Sequence, residues 1–290
     1  MCPHEPSSVR QLQHELESLR QQLAAREQEL TDALQSAAHI QRSLIPRRAP
    51  TYHNLHFAWR FAPYKKVGGD LFNIAPLDEN TIMAYLIDVS GHGIASAMVS
   101  VAVHQSLSPT TGRLLKHPLS HRPFYRITSP HEVLAELDAE YPFERFEEFF
   151  TISYLLLNPH TGFVRYANAG HPPPLLLHGD GTMERLDRGG PLIGLNHRDK
   201  SDEGKVQLQE GDRLFLYTDG LTEQINEQGV PYGEARLVAS LHAQVGHDLG
   251  HACRNALQDL CGFAGKAAPQ DDVTLIGIEF SRREPPGMAT

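Results

Sequence analysis

Four times along this chain an apolar, strand-length run meets an aspartate beside small residues. "KKVGGDLFN" places Asp70 after two glycines, and "AYLIDVSGHG" ends an apolar run on Asp88. "LFLYTDGLTE" ends another on Asp219, and "APQDDVTLIGIEF" sets Asp271 and Asp272 at the mouth of a last one. Taken singly, an Asp at a strand end is a turn former or a helix cap. Four such sites together ask for more. Carboxylates brought from several strands to one place repel unless a cation lies between them. The set is oxygen alone, with no Cys and no His at metal-ligand spacing, which points to Mg²⁺ or Mn²⁺ rather than zinc. Glycine neighbours let backbone carbonyls and waters approach an ion. Two such ions ~3.5–4 Å apart would hold a bridging hydroxide for in-line attack on phosphorus.

The surrounding pattern is α+β. "LHFAWRFAP", "NTIMAYLID", "FTISYLLLN", "GFVRYANAG", "PPPLLLH", "GDRLFLYTD" and "DVTLIGIEF" read as strands, with "NPHTG" a hairpin turn. "IASAMVSVAVHQSL", "SPHEVLAELDAEY" with its Ser cap, "YGEARLVASLHAQV" and "DLGHACRNALQDLCGFA" read as helices. Residues 108–128 mix Pro, Gly, Arg and His without a period and read as an exposed loop. Strands joined by hairpins, with helices segregated, predict antiparallel sheets with helices packed outside.

The N-terminal segment differs. Residues 9–45 hold no Gly and no Pro, and alternate steps of four and three land on Leu12, Leu16, Leu19, Leu23, Arg26, Leu30, Ala33, Ala37, Ile40 and Leu44. Only Arg26 interrupts the apolar seam, so the spacing predicts a coiled coil and a parallel homodimer. The competing reading is one amphipathic helix lying on the domain that follows. Pro46 ends the helix. The expected organisation is a disordered 1–8, a coiled-coil helix 9–45, a linker 46–51, a domain 52–281 and a disordered tail 282–290. With about eight residues before the helix, no sensor domain is expected ahead of it.

Several function classes are excluded at this stage. A net charge of −9 argues against a nucleic-acid partner, which needs a basic face. No run approaches the ~20 apolar residues of a membrane helix, and "MCPHEPSSVR" lacks a signal peptide's apolar stretch. Cys2, Cys253 and Cys261 cannot build a disulfide framework, so reduced thiols in the cytoplasm are expected. There is no phosphate-binding loop of the nucleotide hydrolases and no kinase signature.

Five ordered stretches, "VGGDLFN", "IDVSGHGIASA", "YANAGHPPPLLL", "GDRLFLYTDGLTE" and "QDDVTL", resemble the motifs of type 2C metal-dependent serine/threonine phosphatases. They are similar to those of the bacterial SpoIIE-type branch, which regulates sigma factors. "HIQRSLIP" also resembles the helix that leads into the domain in that branch, so the similarity covers about Ala38 to Phe280. The resemblance implies a four-layer αββα sandwich of two antiparallel sheets flanked by helices, with two Mn²⁺ or Mg²⁺ ions at one edge. It implies that Asp88 bridges the metals and that Asp70 adds a second carboxylate. The Val89 carbonyl, Asp219 and Asp271 would complete the ligands, with Asp272 a weaker candidate. His92 would be either a general acid for the serine leaving group or a turn organiser, and His171 a turn organiser. Where eukaryotic relatives carry a phosphate-holding arginine, this chain has Lys65 and Lys66, candidates for phosphate contact or plain surface lysines. The implied substrate is a small phosphorylated regulatory protein, by analogy an anti-sigma-factor antagonist. The alternative is a silent phosphatase fold acting as a dimeric scaffold, which unneutralised clustered carboxylates make costly.

Overall fold

The computed structural model describes residues 7–91, 93–196 and 202–281. His92 and most of the two terminal segments expected to be disordered lie outside them. Helix α1 (Ser7–Leu44) is one continuous helix that starts two residues earlier than the heptads suggested. A short strand β1 (Thr51–Tyr52) leads into β2 (Leu55–Ala62), β3 (Leu71–Asp78) and β4 (Thr81–Val89). Then come α2 (Ile94–Ser106), the hairpin β5 (Lys116–Pro118) and β6 (Tyr125–Ile127), α3 (Pro130–Glu140) and a single turn α4 (Phe143–Phe146). Strands β7 (Phe150–Leu157), β8 (Phe163–Ala169), β9 (Leu175–Leu177), β10 (Met183–Arg185), β11 (Gly189–Gly190), β12 (Gly204–Gln207) and β13 (Arg213–Tyr217) follow. The chain closes with α5 (Asp219–Glu223), α6 (Glu234–His242), α7 (Leu249–Ala264) and β14 (Val273–Phe280).

The strands form two sheets. One runs β1-β2-β14-β13-β9-β10, the other β11-β8-β7-β4-β3 with β12 added on β8. The pairings are antiparallel, except that β11 runs parallel to β8. Their inner faces meet in one apolar core that joins Leu55, Phe57, Leu214, Leu216, Ile276 and Ile278 of the first sheet to Phe72, Ala84, Leu86 and Leu155 of the second. Helices α2 and α3 pack on the second sheet, and α7 packs on the first with α6 against it. The result is the expected αββα sandwich. Strands β4 and β7, buried on both faces, therefore read as continuous apolar runs rather than alternating ones.

Local chemistry explains the helix starts. Ser129 and Glu132 form a capping box at α3, where the Ser129 N–H donates to Glu132 Oε2 at 2.9 Å and Pro130 takes the first helical position. Asp248 caps α7 by accepting from the His251 N–H at 3.0 Å. The turn before α2 needs its glycines: Gly91 has φ +72° and Gly93 φ +125°, a region closed to most side chains.

Three expectations change. The 108–128 segment carries the β5–β6 hairpin and buries Leu114 and Leu115, so it is not simply an exposed loop. Strand β3 joins the sheet although its sequence did not read as a strand. Leu44, the last seam residue, packs on the core instead of continuing an open seam. Helix α1 in fact has two faces. Ala38 is buried against Val67 and Ala97, with Leu34 packed beside them, while Leu12 through Leu30 and Ile40 stay exposed.

Candidate metal centre

The acids converge at one end of the sandwich, from four separate segments. Asp88 is the penultimate residue of β4, just before the Ser90–Gly91 turn. Asp219 does not end a strand as the sequence suggested. Strand β13 stops at Tyr217, Thr218 precedes the helix, and Asp219 is the first residue of α5. Its carboxylate is thus at a helix start, a favourable place for negative charge. Asp271 and Asp272 immediately precede β14, and Asp70 immediately precedes β3.

These acids divide into an inner pair and an outer group. Asp70 and Asp272 are buried. Asp70 Oδ2 accepts from Thr218 Oγ1 at 2.9 Å and from Thr274 Oγ1 at 2.5 Å. Asp272 Oδ1 accepts from the Tyr64 N–H at 2.7 Å, and its Oδ2 accepts from the Asp70 N–H at 3.4 Å. Asp272 therefore holds the 64–70 loop in place with both oxygens. Close packing here requires Gly68, since a Cβ on it would lie 1.8 Å from Asp272 Oδ2. The outer group is Asp88, Asp219 and Asp271, of which Asp271 is exposed. Asp88 and Asp219 approach closely enough to share a hydrogen bond.

The electrostatics follow from this crowding. Burial, then the charges of Asp219, Asp271 and Asp272, push the Asp88 carboxyl up to about 8. Burial and the neighbouring Asp88 and Asp272 hold Asp70 well above the carboxylate range, against the two threonine hydroxyls that favour its charged form. Burial and Asp271 raise Asp219, and burial raises Asp272 despite its backbone donors. Glu223, four residues beyond Asp219 on α5, is raised by burial and by Asp219 and Asp271. It is a sixth acid that the sequence reading quoted within "TDGLTE" but did not single out.

Val89 closes β4, and its carbonyl oxygen lies against Gly69, where a Cβ would come within 2.4 Å. The oxygen-only donor set and the mutual repulsion of the acids fit hard divalent cations. Among the described residues no three Asp, Glu, His or Cys side chains already close round one point as a finished metal shell. The acids form a belt that a cation would draw together.

The other candidates sit as follows. His171 is buried, with Nδ1 2.8 Å from Thr151 Oγ1, so it reaches into the sandwich rather than only shaping its own turn. Lys66 donates to the Thr31 carbonyl of α1 at 3.2 Å, which ties it to the helix. Lys65 Nζ lies 5.4 Å from the Tyr64 ring centre. Sequence reasoning missed Thr218 and Thr274, whose hydroxyls leave no pattern in a single chain. It also missed Gln41 of α1. The Gln41 amide donates to the Gly68 carbonyl at 2.8 Å and to Ser100 Oγ of α2 at 3.1 Å, and its Oε1 accepts from the Gly68 N–H at 3.3 Å. It thereby joins α1, the glycine loop before Asp70 and the helix after Asp88.

Residues 78–281 match the family model described as Stage II sporulation protein E (SpoIIE). The chain belongs to the SpoIIE family. The match includes Asp88, Asp219, Asp271 and Asp272 and begins after Asp70. Among curated SpoIIE-like relatives, the chain is 31% identical over 163 residues to the phosphoserine phosphatase RsbP of Bacillus subtilis, covering 54% of this chain and 37% of RsbP. It is 26% identical over 214 residues to the phosphoserine phosphatase RsbU of the same organism, covering 72% of this chain and 59% of RsbU. The chain thus spans less than two thirds of each. The SpoIIE-family fold seen here is that of the SiaA-PP2C domain of Pseudomonas aeruginosa, with a TM-score of 0.72 at 20% identity, over 89% of this chain and all of that one.

Proposed function

We propose that the chain is a divalent-metal-dependent protein serine/threonine phosphatase whose substrate is a small phosphorylated regulatory protein, by analogy an anti-sigma-factor antagonist. One observation carries this reading. Five aspartates from four distant segments meet at one end of the sandwich, and burial and the neighbouring charges raise the carboxyls of Asp70, Asp88, Asp219 and Asp272. A fold keeps such a cluster where a cation repays its repulsion. The likeness to two phosphoserine phosphatases supports the same chemistry.

Asp88, Asp219 and Asp271 would hold the two Mg²⁺ or Mn²⁺ ions, with the Val89 carbonyl and Asp70 as further candidates. When bound, these ions would supply Lewis acidity to the phosphoryl group and lower the pKa of water. The chain's own contribution is placement. Strand β4 delivers Asp88 rigidly, and α5 presents Asp219 from its first turn. Thr218 and Thr274 orient Asp70, and Asp272 fixes the loop that carries it. His92 remains a candidate proton donor to the leaving serine oxygen. The exposed seam of α1 supports a parallel homodimer, and the free Cys253 and Cys261 suit a reducing compartment such as the cytoplasm.

The test is dephosphorylation of phosphoserine regulators encoded near this chain, with Mn²⁺ or Mg²⁺ and with chelator. Release of phosphate only with metal is expected. Metal-independent release, or none from any phosphoprotein with metal present, overturns the reading.

A further inference from the structure

His171 follows β8 in "AGHPPPL", in the segment that leads to β9, and it is 4% exposed. Its imidazole has neighbours on both sheets. On one side Nδ1 is 2.8 Å from Thr151 Oγ1 of β7. Thr151 stands directly opposite Asp88 in the β4–β7 ladder. Opposed residues of an antiparallel pair share a face, with Cβ atoms about 4.5–5.5 Å apart. On the other side the Tyr217 carbonyl of β13 is close enough to raise the ring's proton affinity. Nε2 nonetheless completes no hydrogen bond among the described residues. Two residues past Tyr217 the chain reaches Asp219. A single ring therefore stands between β7, the strand paired with the one that carries Asp88, and the strand that leads to Asp219.

The ring's protonation follows from its partners. Burial outweighs the Tyr217 carbonyl and lowers the pKa to about 3, so the imidazole is neutral. A neutral imidazole has one donor and one acceptor. A carbonyl can only accept, so the proton belongs on Nε2, facing Tyr217. Nδ1 then accepts from the Thr151 hydroxyl.

We propose that His171 is a positioning residue, an inter-sheet strut that sets the separation of Asp88 from Asp219 and thereby the affinity of that pair for a divalent cation. The proposal rests on the reading of the acids as a cation site. Its physical basis is the strictness of small hard cations, which need oxygen ligands within a few tenths of an ångström of ideal places. A turn organiser would act on its own loop. A strut acts on two carboxylates that the ring does not touch.

The test measures Mn²⁺ affinity of the full chain by isothermal titration calorimetry, with thermal stability of the metal-free protein beside it. The variants are His171→Leu, His171→Gln and Thr151→Val. Gln offers one acceptor and one donor in a similar span, so it can replace the ring's pattern; Leu cannot. His171→Leu and Thr151→Val are expected to weaken Mn²⁺ binding about 10–100-fold, the usual scale for supporting partners of metal ligands. His171→Gln is expected to recover most of that loss. The double variant His171→Leu with Thr151→Val is expected to be no weaker than His171→Leu alone, because both act through one contact. Wild-type affinity in His171→Leu and Thr151→Val overturns the strut and leaves the cation site standing. Equal weakening in His171→Gln and His171→Leu also overturns it, since only packing would then matter. If His171→Leu does not fold, Thr151→Val and His171→Gln decide between the same outcomes. A wild-type chain that takes up no Mn²⁺ overturns the cation site itself, and the strut with it.

Discussion

Thr274 Oγ1 donates to Asp70 Oδ2 at 2.5 Å, across 204 positions of sequence. The same oxygen accepts from Thr218 Oγ1, and Thr218 Oγ1 in turn accepts from the Thr274 N–H at 3.0 Å. The two threonines and the acid form a closed buried knot that links β3, β13 and β14. A buried acid oxygen that loses its donor carries its full desolvation penalty.

Thr274→Val keeps the side chain's shape and removes the donor. We expect it to lower unfolding free energy by about 1–3 kcal/mol, read by urea denaturation of the metal-free protein. Thr218→Val should act in the same direction and less than additively with it, because both serve one oxygen. Unchanged stability in both variants would show that neither hydroxyl supports Asp70.

Asp88→Asn and Asp219→Asn should separate function from folding. Each is expected to lower metal-dependent phosphate release at least about 100-fold, since losing a ligand should exceed the loss of a supporting partner. Above about pH 8, where Asp88 is ionised, each also removes one charge from a crowded group. Relief of about 1 kcal/mol would raise the metal-free melting temperature by about 2–4 °C in a domain of this size. Calorimetric scans in chelator check the second point independently of any assay. Wild-type turnover in either variant would remove that residue from the site.

Much of this site could be read from the sequence because its acids sit where apolar runs stop. Asp88 after "AYLI" and the Asp271–Asp272 pair before "VTLIGIEF" are marked by the change in hydropathy alone. The supporting residues carry no such mark. Thr218 and Thr274 become partners of Asp70 only when β13 and β14 pair antiparallel and bring their ends together. Gln41 looks like any polar position of a heptad helix until α1 docks and buries it. Strand β3 was hidden for a different reason. Asn73 and Pro76 break its pattern, and its ladder with β4 slips between Pro76 and Asp78. The β5–β6 strands are three residues each, too short for any period to register.

The acid sensitivity of folding should contain a contribution from His171. Its pKa is lowered to about 3 in the folded chain and is about 6.5 in an unfolded one. Between those values the unfolded state binds the proton and the folded state does not. Its stabilising contribution is therefore fully present above about pH 6.5 and is lost as pH falls toward 3. The loss approaches about 2 kcal/mol by pH 5. Urea unfolding of the wild type and His171→Gln at pH 7, 6 and 5, in chelator, isolates it as a difference of differences. Parallel pH profiles would mean that His171 titrates alike in the folded and unfolded chain.

The exposed seam of α1 predicts the oligomeric state. Leu12, Leu16, Leu19, Leu23, Leu30 and Ile40 are 50–65% exposed along one stripe, far more apolar surface than an isolated helix keeps bare. The domain-facing side of the same helix is already satisfied by Ala38, Gln41 and Leu44, so the seam has no partner within the described residues. A second copy supplies the matching heptads. Leu at the early positions should grip tightly, Ala33 and Ala37 should allow a closer but weaker approach, and Arg26 should help fix the register. Leu44 is already drawn into the domain, so the paired stretch should end before it. Sedimentation equilibrium is expected to give a dimer for the full chain at micromolar concentration and a monomer for a chain beginning at Ala49. Leu16→Asp with Leu23→Asp should dissociate the full chain while leaving the domain's melting transition in place, because neither residue touches it. A monomeric full chain would remove the coiled coil. Dimers of equal strength with and without α1 would move the interface onto the sandwich, and Gln41 would then join α1 to the Asp70 loop within one protomer only.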